Sequence, residues 1–162
     1  MEQQNLSKIV ESVVNTLMER RVPPCMTLSL AQSLTQKVLT RAKEMGVKAV
    51  VAVSNASARP VSVACMDDSF IASYDVALQK AYTVVALKMS TIDLKPLAQP
   101  GGSLYGIQFT NQGQIVIFGG GEPLKIGGEV IGGLGVSGGT EEQDTALAAY
   151  GRQVFEEIRS CR

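Results

Sequence analysis

Along residues 5 to 21, "NLSKIVESVVNTLMERR", the apolar side chains Leu6, Ile9, Val10, Val13, Val14, Leu17 and Met18 recur in steps of three and one. That spacing winds them onto one stripe of a helix and leaves Lys8, Glu11, Ser12, Asn15 and Glu19 on the other side. "RVPP" at 21–24 stops it, since proline lacks an amide donor and restricts the residue before it. A lone helix of this length is marginal in water, so its stripe must be covered by its own domain, by a neighbouring subunit or by a docking partner. The chain therefore divides into an amphipathic helix with a Pro-Pro linker over 1–24 and a globular domain over 25–162.

A helical period returns in "SLAQSLTQKVLTRAKEMG", with Leu30, Leu34, Val38, Ala42 and Met45 on one face, Ser29 and Gln32 in capping-box spacing, and Gly46 as the stop. "VKAVVAVSN" and "RPVSVACMD" then read as two strands of a hairpin around "NASAR". Tyr74, Leu78, Ala81, Val85 and Met89 mark another helix over about 69–89, and "STIDLKPLAQPGG" a short one stopped by Pro96 and Pro100. From Gly106 to Gly139, β-rich pieces separated by Asn111–Gly113 and Gly127–Gly128 predict three more strands. Thr140 and Gln143 form a second capping box before a last helix faced by Leu147, Tyr150, Val154 and Ile158. Strands joined by hairpins, not alternating with helices, place the domain in the α+β class.

Composition narrows the chemistry. Fifteen basic and fifteen acidic residues cancel, which argues against a nucleic-acid or anionic-membrane partner. Cys25, Cys65 and Cys161 are odd in number and not closely paired, as suits a reducing cytoplasm without a disulfide framework or thiolate zinc site. No basic leader and no long apolar run precedes the domain. The chain has neither histidine nor tryptophan, so serine–histidine and cysteine–histidine catalysis are excluded. Chemistry would have to come from carboxylates, lysine, tyrosine, thiols or a bound cofactor.

Fourteen of the sixteen glycines lie between Gly101 and Gly139. A phosphate cradle is one reading of "SGGTEEQD", but Glu141, Glu142 and Asp144 would repel a phosphate there, and no phosphate-loop lysine or dinucleotide motif is present. Turns account for Gly113, Gly127 and Gly128. Gly132, Gly133 and Gly135 fall inside a strand, where glycine weakens the sheet unless something approaches closely. The expectation is a bare sheet face that accepts either a flat ligand or a second subunit.

"QPGGSLYGIQFTNQGQIVIFGGGEPLKIGGEVIGGLGVSGGTEEQD", with "VAVSNASARPVSVACMDDSFIASYDVALQKAYTV" upstream, resembles the GlcG/HbpS-like family, which includes the C-terminal domain of the propanediol-utilisation protein PduO. The likeness covers about residues 27–158. It implies a profilin-like or PAS-like sandwich, a five-stranded antiparallel sheet flanked by helices, homo-oligomers, and a heme or corrinoid-type tetrapyrrole as ligand. Heme in PduO-type domains is held by histidine, which this chain lacks, and there is no adenosyltransferase domain. Cys65, Met66 and Tyr105 are then the candidate donors, with Cys25 and Met26 behind them, although each is also an ordinary core or turn residue.

Among the polar positions in the family pattern are Asp67, Lys80, Thr83, Asn111 and Asp144. Asp67 and Lys80 would hold the carboxylate edge of a ligand, or else form a fold-holding ion pair and turn caps. The N-terminal helix resembles the encapsulation peptides that recruit cargo into bacterial microcompartments through a shell or core partner. The expected protein is a cytoplasmic accessory ligand binder with Cys65, Met66, Asp67, Lys80, Tyr105, Gly132 and Gly133 at its cofactor site. The alternatives are a cofactor-free assembly module and an enzyme acting on a small carbonyl or carboxylate.

Overall fold

The computed structural model describes residues 25–160, and the N-terminal helix expected over 5–21 lies outside them. Helix α1 (Leu28–Glu44) starts two residues earlier than the Ser29–Gln32 pair suggests, because Thr27 Oγ1 accepts the Leu30 amide at 3.2 Å. It ends at Met45, and Gly46 follows with φ +70, the left-handed geometry that made it a natural stop. Strands β1 (Val50–Asn55) and β2 (Pro60–Cys65) make the expected hairpin. Helix α2 (Ile71–Ala86) and the seven-residue α3 (Thr91–Leu97) follow, with Pro96 inside the last turn of α3 and not beyond it. Strands β3 (Gly121–Ile126) and β4 (Glu129–Ser137) join through Gly127–Gly128, both at positive φ, and α4 (Glu141–Ser160) closes the domain.

Among the described residues the sheet has four strands in the order β2-β1-β4-β3, all antiparallel. The fifth expected strand is absent. Ile107–Phe109 and Asn111–Gly113 are 3₁₀ turns, and Ile115 and Val116 run buried but unpaired with the sheet. The reason is a competing partner: Thr83 Oγ1 on α2 accepts the Val116 amide at 3.0 Å, in place of a neighbouring strand's carbonyl.

Alternation along β1 and β4 sorts the core into two layers. Val51, Val53, Leu134 and Val136 join Leu34, Val38, Leu147 and Phe155 beneath α1 and α4. On the other face Val50 and Ala52 meet Ala77 and Ala81 of α2. Two of the β4 residues that face α2 are glycines, Gly133 and Gly135. A Cβ on Gly135 would stand 2.0 Å from the Ala77 carbonyl oxygen, and one on Gly133 would stand 2.3 Å from that of Ala81. Their missing side chains are what let the helix backbone lie directly on the strand. Gly135→Ala is therefore expected to cost about 1–3 kcal/mol or more through overpacking. A lowered urea midpoint would register it, whereas an unchanged midpoint would mean that α2 can retreat without loss.

Candidate functional site

Lys80, on the inner face of α2, is completely buried, as lysine almost never is unless paired. Its Nζ donates to Asp144 Oδ2 at 2.9 Å and to the Val136 carbonyl at 2.8 Å, and it lies 4.9 Å from the centroid of the Phe118 ring. Asp144 Oδ1 accepts the Gly139 amide at 2.9 Å, so one carboxylate joins α4, the turn before it and α2. Burial pushes the Lys80 ammonium below its ordinary value of 10.5, and the Asp144 carboxylate works against that push. Gly120 leaves the room: a Cβ there would meet Lys80 Nζ at 2.6 Å.

The glycine-rich loop is no phosphate cradle, because carboxylates of α4 already take its amides. Gly119 donates to Glu141 Oε1 at 2.8 Å, and Thr140 and Gln143 exchange the reciprocal bonds of the expected capping box. That amide, with Lys95 beside it, holds the Glu141 carboxyl below its usual range. A cleft of about 300 Å³ opens beside this cluster, walled by Phe70, Val76 and Phe118 with Ser73, Ser137 and Glu141 at its edge.

The expected site residues separate into three groups. Cys65, Met66 and Asp67 come together at the end of β2, lining a groove of about 590 Å³ with Leu39, Val47, Lys43 and Lys48. Cys65 is exposed, while Met66 Sδ already accepts the Ala49 amide at 3.3 Å. Lys80 is not in that groove and does not pair with Asp67; its partner is Asp144. Tyr105 stands 63% exposed on the loop before the 3₁₀ turns, outside the groove.

Gly132 and Gly133 overturn the expectation of an open slot. Gly133 is sealed under α2, and a Cβ on Gly132 would sit 2.3 Å from the Ser54 carbonyl oxygen and 3.2 Å from Met26 Cε. What approaches those glycines is the protein itself. Asn111 Nδ2 donates to the Tyr82 hydroxyl at 3.0 Å, and Thr83 accepts the Val116 amide, so both brace the loop that replaced the fifth strand. Sequence reasoning missed the groove's lysines, Lys43 and Lys48, because nothing in the linear pattern sets them apart from solvated surface charge. Among the described residues no group of three or more metal-binding side chains occurs, and no helix is long and apolar enough to cross a membrane.

An antiparallel sheet with α1 and α4 on one face and a helix pressed onto strand glycines on the other defines an α+β sandwich with grooves at its strand ends. Residues 26–153 match the family model described as haem degrading protein HbpS-like, and the chain belongs to that family. It is 45% identical over 132 residues to an uncharacterized 15.0 kDa protein from the dhaT-dhaS intergenic region of Citrobacter freundii, covering 82% of this chain and 93% of that one. It is 38% identical over 126 residues to the corrinoid adenosyltransferase PduO of Salmonella typhimurium, covering 78% of this chain but only 38% of PduO. Two solved structures are similar: Klebsiella pneumoniae protein ORFY, at TM-score 0.80 and 39% identity over 85% of this chain and 96% of that one; and a PduOC:heme complex, at 0.77 and 36% over 80% and 94%.

The buried pair invites a direct test. Lys80→Met or Asp144→Asn alone should lower stability by about 3–5 kcal/mol, because each strands a buried charge or its partner. The double variant Lys80→Met with Asp144→Leu should recover part of that loss in chemical denaturation. Additive losses would deny the pair its coupling.

Proposed function

We propose that this protein is a homo-oligomeric accessory binder of a tetrapyrrole, heme before a corrinoid, working with a bacterial microcompartment for propanediol or related metabolism. The observation that carries the reading is the similarity over most of the chain to a PduOC domain solved with heme. PduO itself is named a corrinoid adenosyltransferase, and this chain matches only 38% of its length.

The groove at the end of β2 has the donor set that heme needs without histidine. Cys65 offers an exposed thiol, Leu39, Val47 and Met66 an apolar lining, and Lys43 a cation for a propionate, while Lys48 Nζ is already held by Asp68 Oδ2 at 2.8 Å. Met66 is a poorer axial donor, since its sulfur is spent on the Ala49 amide. Heme bound there would supply an iron centre; the chain's own residues would hold and shield it. Purified protein titrated with hemin should gain a Soret band that survives desalting. Cys65→Ser should shift that band and weaken binding by roughly tenfold or more. Colour taken up from cobalamin instead would move the reading to the corrinoid. A protein colourless with both would leave the tetrapyrrole reading without support.

One observation favours a second reading, a cofactor-free assembly module: at the start of α2, Phe70 is 70% and Ile71 96% exposed, and Tyr74 stands nearly half exposed on the same helix. Apolar exposure of that kind suits a subunit face. An enzyme on a small carbonyl or carboxylate ranks behind both.

We also assign residues 5–21 as the recruiting helix, with the apolar stripe from Leu6 to Met18 as its docking face. Residues 1–24 fused to a fluorescent protein should gather into puncta in cells that build microcompartments. Diffuse fluorescence would refute the assignment.

A further inference from the structure

A separate cleft, of about 400 Å³, lies between the turn of the β1–β2 hairpin and the outer face of α2. Leu78 and Pro60 give it apolar walls, and Arg59, Tyr82, Gln79 and Gln114 line it as polar residues. Its volume and its mix of apolar and polar lining are those of a small-molecule site. Among the described residues that line it, Arg59 is the one that is charged, and none is a carboxylate. Among the described residues Arg59 forms no ion pair, in contrast to Arg41, Arg152 and Arg159.

The groups that would meet a ligand are braced. Asn55 Oδ1 accepts the amides of Ser57 at 2.9 Å and Arg59 at 3.0 Å, and the Asn55 amide donates to the Arg59 carbonyl at 2.9 Å. Across the cleft the Tyr82 hydroxyl oxygen accepts from Asn111 Nδ2, which leaves its own proton free to donate. Ala58 in the hairpin turn, at φ +56, and Asn111, at φ +49, hold left-handed backbone on the two sides. For alanine such geometry persists only where surrounding structure enforces it, whereas asparagine adopts it readily.

We propose that this cleft binds a small organic carboxylate with an apolar body. The Arg59 guanidinium takes the carboxylate in its planar fork, the Tyr82 O–H and the Gln79 and Gln114 amides orient it, and Leu78 and Pro60 receive the apolar part. The unopposed charge selects an anion, and the apolar walls select against inorganic phosphate. This site is distinct from the Cys65 groove, and its occupancy does not depend on whether a tetrapyrrole binds there.

Calorimetry and amide chemical-shift mapping on the full chain test it, with benzoate as the probe, benzamide as its neutral isostere and inorganic phosphate as the apolar-free anion. Benzoate should saturate and shift the amides of residues 57–60 and 78–82, while benzamide and phosphate should bind at least about tenfold more weakly, in keeping with the loss of a charge-assisted pair or of apolar contact. Arg59→Gln, at an exposed turn where folding is unaffected, should lose roughly tenfold or more in benzoate affinity and leave the hemin titration unchanged. Absence of saturable benzoate binding, equal binding of benzamide, undiminished binding by Arg59→Gln, or displacement of benzoate by hemin would each overturn the assignment.

Discussion

Helix α2 lies on β4 at backbone distance, and most of the interior follows from that contact. Where a side chain would stand on Gly133 or Gly135, the Ala81 and Ala77 carbonyls stand instead. A helix held that low brings Lys80 to the level of the strand, where no water can reach its ammonium. The charge must then be met from within, by the Val136 carbonyl, by Asp144 and by the face of Phe118. Glycines in the strand, a charged pair under the helix and carboxylates at the start of α4 are thus one arrangement, not three. Breaking such a pair is costly, yet the pair itself adds little to net stability because desolvation offsets much of the attraction.

The same contact explains what could and could not be read along the chain. Period and punctuation located the elements well: Gly46 closes α1, Gly127–Gly128 turns the β3–β4 hairpin, and the Thr140–Gln143 box opens α4. Those signals are local, settled by residues within one turn of each other. The glycines inside β4 announced a close approach, but the identity of what approaches is a tertiary fact, and an internal helix answered where a flat ligand was expected. The fifth strand failed for a related reason. Ile115 and Val116 have the strand's composition, yet a threonine hydroxyl 33 residues away satisfies the Val116 amide.

The candidate site was legible in part. Cys65, Met66 and Asp67 are adjacent in sequence and stay together at the end of β2, so a linear reading could group them. Lys80 was assigned to the same function because a cation beside a carboxylate suits an anionic ligand. Its true partner lies 64 residues away, and no local spacing encodes that distance. The alternative weighed for it, a fold-holding ion pair, is the role the geometry gives it, with Asp144 in the place of Asp67.

Because the middle of the sheet is covered on both sides, the fold leaves recognition to its margins. β1 is buried from Val50 through Ser54, and β4 from Ile131 through Ser137, so neither central strand offers a face to a ligand. Recognition must use strand ends, turns and the outer surface of α2, which is where the exposed Cys65 thiol and the unpaired Arg59 guanidinium both stand. These two positions bracket β2, Arg59 just before its first residue and Cys65 as its last, so a residue change at either can retune binding without touching the packed interior. A sandwich of this design can keep its core contacts constant while the donors at its rim change.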